Sequence, residues 1–148
     1  MTHPGQLLKQ SKLYAGKELG QNFLSNPGTA QMLVQRTGIS QNTHVLEIGS
    51  GLGALTVPIA KAASYVTAVE KDSRLIPLLE QELADESIEN VEILNNDILK
   101  VEFNRIFKDK KLVVIGNLPY NISSQILFRL VEERGYLEKA FLMFQKEL

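Results

Sequence analysis

The segment Val113-Val-Ile-Gly-Asn-Leu-Pro-Tyr-Asn-Ile-Ser-Ser124 decides how the rest of the chain is read. Val113, Val114 and Ile115 are β-branched, and such a run favours a buried strand. Gly116 is expected to stop that strand, and Pro119 restricts Leu118 to an extended conformation. Ser123 or Ser124 then caps a helix that carries Ile126, Leu127, Leu130 and Val131 on one face. Asn117, Leu118, Pro119 and Tyr120 are therefore expected on a loop just past the carboxyl end of a parallel strand, where open α/β sheets bind ligands. That loop offers an amide side chain, extended backbone carbonyls and an aromatic face. A flat heterocycle bearing an exocyclic amine suits it: Asn117 and a neighbouring carbonyl accept the two amine hydrogens, and Tyr120 stacks on the ring. The same residue types also build an ordinary β-to-α turn.

With 148 residues the chain has the size of one domain, and 44% hydrophobic with 22% charged residues is ordinary for a soluble protein. It has no cysteine, which excludes disulfides and thiolate chemistry, and with only His3 and His44 no histidine-rich metal site is expected. No apolar run reaches the ~20 residues of a membrane span, and no secretory signal opens the chain, so a cytoplasmic enzyme is expected. The net charge of −1 lacks the basic surplus usual in a nucleic-acid binder. Any phosphate contacts fall to two local clusters: Lys9, Lys12 and Lys17 near the amino end, and Lys100, Arg105, Lys108, Lys110 and Lys111 before the key strand.

Residues 1–18 are polar and without apolar periodicity, which predicts a flexible basic arm ahead of a single domain over 19–148. Asn26-Pro27 marks a helix start, and the helix turns Ala30, Leu33 and Val34 inward before ending near Gly38. Val45-Leu46-Glu47-Ile48 is the first strand, and Gly49-Ser50-Gly51-Leu52-Gly53 follows it directly, with a helix from about Ala54. A glycine loop between strand and helix marks close backbone approach to a ligand. Its G-x-G-x-G spacing is not that of a dinucleotide binder, and it lacks the lysine of a phosphate loop. Tyr65–Val69 is the second strand, and Glu70 at its end either accepts both hydroxyls of a ribose or is a solvated or helix-capping carboxylate, the glycine loop favouring the first. Pro77 lies one turn into the next helix, which predicts a 3₁₀ start. Val91–Leu94 is the third strand, and Asp97 beyond it either accepts from an adenine amine or caps an Asx turn. Phe103, Ile106 and Phe107 form one apolar helical turn, a later helix ends at Gly135, and residues 140–144 form a fifth strand.

Strands alternating with helices imply parallel βαβ units with right-handed crossovers, in the order 3-2-1-4-5. The glycine loop, Glu70, Asp97 and Asn117 then meet at one edge of the sheet.

Four separated motifs carry a family resemblance. Leu19-Gly-Gln-Asn-Phe-Leu24, Glu47-Ile-Gly-Ser-Gly-Leu-Gly-Ala-Leu-Thr56, Asn117-Leu-Pro-Tyr-Asn-Ile-Ser123 and Gln145-Lys-Glu147 resemble the ribosomal RNA adenine N6,N6-dimethyltransferases, in particular the bacterial KsgA-like group. The resemblance implies a Rossmann-like methyltransferase fold that uses S-adenosylmethionine (SAM) to dimethylate adenosines of small-subunit rRNA in immature 30S subunits. It implies Asn22, Leu24, Gly49, Gly51, Glu70, Asp97 and Asn117 as cofactor contacts. Asn117, Leu118, Pro119 and Tyr120 become the catalytic loop. Ser50 stands where the family usually has proline, and Asn26 replaces a common aspartate. The family also continues past this point with two further strands and a helical RNA-binding domain, so this chain alone is expected to be inactive or weakly active, and the open edge of strand 140–144 is expected to self-associate. An Erm-type enzyme acting on 23S rRNA, and a non-catalytic SAM- or rRNA-binding assembly factor, are the alternatives.

Overall fold

The computed structural model describes residues 26–144. Five segments within them form strands: β1 (His44–Ile48), β2 (Tyr65–Val69), β3 (Val91–Leu94), β4 (Leu112–Leu118) and β5 (Leu137–Phe144). Every pairing is parallel, and the order β3-β2-β1-β4-β5 agrees with the topology expected from the βαβ alternation. Helix α1 (Pro27–Thr37) precedes the sheet. Helices α2 (Thr56–Ala62), α3 (Ile76–Asp85), α4 (Phe103–Ile106) and α5 (Ser123–Glu132) lie in the crossovers that parallel strands require.

Local signals place the helices. Asn26 caps α1 by accepting from the Gly28 N–H at 2.8 Å, Pro27 fills the first turn, and Gly38 ends the helix at φ 73°. The Pro77 region does begin as a 3₁₀ turn, Ser73–Leu75, capped by the Asp72 carboxylate, which accepts from the Arg74 N–H at 3.0 Å.

Alternation along the central strands divides the core between the two faces of the sheet. Leu46, Ile48, Leu112, Val114 and Leu118 point to the side covered by α4 and α5, where they meet Phe103, Ile106, Ile126 and Leu130. Val45, Val66, Ala68, Val113 and Ile115 point to the side of α1 and α2, against Val34, Leu55 and Ile59. All five residues of β1 are buried, as a strand flanked by neighbours and covered on both faces must be.

Several sequence expectations need correcting around β4, α5 and β5. Gly116 does not stop its strand: β4 runs on to Leu118, because the carboxyl end of β5 pairs Asn117 with Met143 and Leu118 with Phe144, while at its other end β5 begins at Leu137 rather than at 140 and pairs with Leu112. Asn117 and Leu118 are thus the last rungs of a strand, not loop residues. Ser123 and Ser124 do not cap α5, which begins at Ser123 itself after a 3₁₀ turn, Tyr120–Ile122, and has no side-chain cap. The face of α5 is also narrower than its periodicity suggests. Ile126 and Leu130 are buried, whereas Leu127 and Val131 are 44% and 58% exposed. The helix ends at Glu132, and Gly135 belongs to a separate 3₁₀ turn, Arg134–Tyr136.

Candidate active site

A cavity of about 330 Å³ opens at the carboxyl ends of β1, β2 and β4. That volume lies within the usual range for small-molecule sites. It is lined by the glycine loop, by Glu70, by Asp97, and by Asn117, Leu118 and Pro119, with Ile122 and Gln125 closing one wall.

The loop after β1 is held by the end of β2. Gly49 and Ser50 donate their N–H groups to the Val69 carbonyl at 2.9 and 3.3 Å, and the Gly53 N–H closes a turn onto the Ser50 carbonyl at 3.0 Å. Gly49 at φ 77° and Gly53 at φ 94° hold left-handed backbone that side chains disfavour. A Cβ built on Gly49 would sit 3.6 Å from the Asn117 carbonyl oxygen, so loop and strand end are backbone neighbours.

Glu70 follows β2 and is 3% exposed. One carboxylate oxygen accepts from the Gly51 N–H at 2.6 Å, and the other from the Asp72 N–H at 2.8 Å. Burial pushes this carboxyl up from its ordinary pKa, and the Asp72 and Gly51 N–H groups pull it part of the way back. Asn95 donates to the Glu70 carbonyl at 2.9 Å, tying the end of β3 to the same corner. Asp97 does form an Asx turn, with Oδ1 accepting from the Leu99 N–H at 3.0 Å, and Lys71 Nζ lies 3.6 Å from Oδ2. The turn and the cavity lining coexist in one side chain.

Asn117 is half-buried at the rim, and Leu118 is buried beneath it. The Pro119 carbonyl accepts from the Ile122 N–H at 3.4 Å, which turns the chain into α5. Tyr120 opens that turn. Asn22 and Leu24 fall outside the described residues.

Glu47 was not singled out by sequence reasoning, although a carboxylate inside an otherwise apolar central strand was a visible anomaly. It is 1% exposed and lines the cavity from β1. Its Oε1 accepts from the Thr56 hydroxyl at the start of α2. Burial pushes its carboxyl up to about 7, against hydrogen bonds from Thr56 and Ser50 that lower it and the Glu70 charge that adds to the rise.

The second basic cluster is split: Lys100 directly follows the lining residues Ile98 and Leu99, whereas its last three lysines lie away from this cleft. Lys108, Lys110 and Lys111 precede β4, whereas the cavity lies past its other end. The seven residues of β4 hold the two about 20 Å apart. Among the described residues no group of three acidic or histidine side chains is placed to hold a metal, and no helix is long and apolar enough to cross a membrane.

A five-stranded parallel sheet of this order, with a glycine loop after β1 and an acid after β2, defines a Rossmann-like methyltransferase fold. The family model described as ribosomal RNA adenine dimethylase matches residues 13–148, and the chain belongs to that family. It is 62% identical over 148 residues to a ribosomal RNA small subunit methyltransferase A of Desulforapulum autotrophicum, an alignment covering 100% of this chain and 52% of the relative. Among solved structures, a dimethyladenosine transferase from Plasmodium falciparum superposes with a TM-score of 0.72 at 34% identity, over 84% of this chain and 44% of that one. The 23S rRNA methyltransferase ErmE also gives 0.72, at 31% identity, over 84% and 48%. The chain spans about half the length of the curated relatives it matches.

Proposed function

We propose that this chain binds S-adenosylmethionine and serves the dimethylation of adenine N6 in small-subunit rRNA of immature 30S subunits, in the cytoplasm. The observation that carries the reading is that the glycine loop, Glu70, Asp97 and Asn117-Leu118-Pro119 line one cavity in a member of the dimethylase family.

The donor set fits the cofactor. Glu70 uses one acceptor position on each oxygen for the Gly51 and Asp72 N–H groups and keeps others for ribose hydroxyls. Asp97 retains acceptor capacity on Oδ2 for an adenine amine, and Ile98 and Leu99 supply an apolar flank. Gly49 and Gly51 keep the loop free of side chains where the cofactor backbone passes. When bound, the cofactor supplies a methyl group on a positively charged sulfur. Asn22 and Leu24 belong to this set by family resemblance.

An adenine amine conjugates with its ring, so its lone pair is a poor nucleophile. Asn117 and the Leu118 or Pro119 carbonyl accept the amine hydrogens, which favours a pyramidal nitrogen. Tyr120 stacks the flipped base so that the nitrogen faces the methyl donor. No strong base is required beforehand, because the proton becomes acidic only as the new bond to carbon forms. The cycle then repeats on the monomethylated amine.

Relatives named for the small subunit favour that substrate over 23S rRNA. Calorimetric titration with SAM, followed by single-turnover transfer of labelled methyl to unmodified 30S subunits, tests the reading. Absence of SAM binding overturns it. Label entering 23S rRNA instead would move the chain to the Erm side.

The free edge of β5 is the proposed site of self-association. Among the described residues the strand pairs only with β4; Leu127, Val131 and Phe144 line a groove beside it, and Phe128 stands exposed on the same helix as Leu127 and Val131.

A further inference from the structure

The cleft carries two buried carboxyl groups on one wall, Glu47 and Glu70, and among the described residues neither is paired with a lysine or arginine. Lys71, the cation at this rim, is directed to Asp97. Buried carboxylates with no counter-charge are costly, and either a proton or an incoming cation relieves them. We propose that Glu47 exchanges its proton for the positive charge of the cofactor: the acid form occupies the unliganded cleft, and binding of a cationic ligand expels the proton to solvent. The inference rests on the cofactor reading above.

The hydrogen bonds around Glu47 serve both forms. As a carboxylate it accepts from Thr56 on α2, and the Ser50 hydroxyl of the loop, which donates to the Val69 carbonyl at 3.4 Å, is near enough to turn to it and lower its pKa. As an acid it keeps the Thr56 bond and gives its own proton to the Ser50 hydroxyl, whose hydrogen then turns to the Val69 carbonyl, 3.4 Å away. Ser50 is therefore a two-way relay, a role closed to the proline usual at this position.

The charges around Glu47 agree with this direction. From β2 the facing group is the Glu70 carboxylate, which opposes ionisation of Glu47. From β4 the register partner is Ile115, and α2 presents the uncharged Thr56. On the far side of the loop α3 brings buried Glu82 up to Gly53, where a Cβ would lie 3.7 Å from its Cγ. None of these supplies a cation. The carboxyl, pushed up to about 7 chiefly by burial, is mostly protonated at slightly acidic pH. In the exchange one O–H bond breaks, the electron pair stays on the carboxylate, and the proton goes to buffer.

Calorimetry of the full chain tests this. SAM is titrated at about pH 6, below the titration of an α-amino group, in two buffers of different ionisation enthalpy. The expected result is release of close to one proton per SAM bound. Uncharged adenosine should release none, and Glu47→Gln should abolish release on SAM binding. Affinity for SAM should also rise roughly tenfold between about pH 5.5 and about pH 7 in the wild type and stay flatter in the variant. SAM binding without proton release, or equal release by adenosine, overturns the exchange and leaves the cofactor reading intact. Binding of neither ligand overturns both. The adenosine comparison needs only wild-type protein, so the outcome does not depend on whether Glu47→Gln folds.

Discussion

Glu70 accepts a hydrogen bond from the backbone N–H of Gly51 at 2.6 Å, so the acid that ends β2 braces the glycine loop that follows β1. A side chain assigned to the cofactor is also part of the frame around it. Replacing Glu70 with alanine strands the Gly51 and Asp72 N–H groups, at a cost of about 1–3 kcal/mol each where they stay buried. Glu70→Ala is expected to lower both the urea midpoint and SAM affinity. Glu70→Gln, which retains one acceptor oxygen, should fall between alanine and wild type in both measurements.

Alanine at Gly49 and at Gly53 is expected to behave differently. Gly53→Ala combines φ 94° with a Cβ 3.1 Å from Leu79 Cδ1, and should lose more than about 1 kcal/mol of stability. Gly49→Ala places a methyl in ordinary contact with the Asn117 carbonyl oxygen, 3.6 Å away, on the cavity wall at φ 77°. Its loss should be nearer 1 kcal/mol, with a disproportionate drop in SAM affinity. Thermal melts with and without SAM separate the two.

Tyr120→Ala should slow methyl transfer while leaving SAM affinity nearly unchanged. Loss of a stacked base is worth ~1–3 kcal/mol, or roughly tenfold to a hundredfold in kcat/KM. Parallel measurement of turnover and SAM binding checks this. Equal loss of both would contradict the base-stacking role.

Glu47 gives a signature in stability as well as in binding. Its pKa rises on folding from 4.5 to about 7, so the folded form holds the extra proton. The contribution of Glu47 to stability is fully present below about pH 4.5 and is lost as pH rises through about 7, by about 3 kcal/mol in total. Denaturant titrations across that window should show the slope in the wild type and a shallower one in Glu47→Gln. Because buried His44, with its lowered pKa, contributes in the opposite sense, the difference between wild type and Glu47→Gln is the readout, and a difference that is flat or rises with pH would remove this assignment.

Lysine substitution on the exposed side of α5 should reduce self-association. Phe128 is 71% and Val131 58% exposed, so Phe128→Lys and Val131→Lys are expected to change monomer stability by less than about 0.5 kcal/mol. Sedimentation velocity over a concentration series should show association in the wild type and less of it in the variants.

Strand order and the convergence of Gly49, Glu70, Asp97 and Asn117 were legible in the sequence because they follow from local rules. β-branched runs make strands, glycine and acid positions mark strand ends, and right-handed crossovers set the order. The length of β4 was not legible, because Asn117 and Leu118 are extended only through pairing with Met143 and Phe144, a contact distant in sequence. Exposure of Leu127 and Val131 was hidden for a similar reason: periodicity gives the direction of a helical face but not how far its cover extends. Glu47 escaped notice because one charge in an apolar run reads as a flaw in the pattern until Thr56 and Ser50 are seen around it.

The ladder between β4 and β5 gives the site an unexpected dependency. Asn117 and Leu118 owe their extended backbone to Met143 and Phe144, which belong to the outermost strand of the sheet. Fraying is commonest at such margins. Any contact that splints the outer strand therefore also steadies the residues assigned to the target base, one strand spacing inward. Hydrogen exchange at Asn117 would report on the sheet's flank as directly as on ligand occupancy.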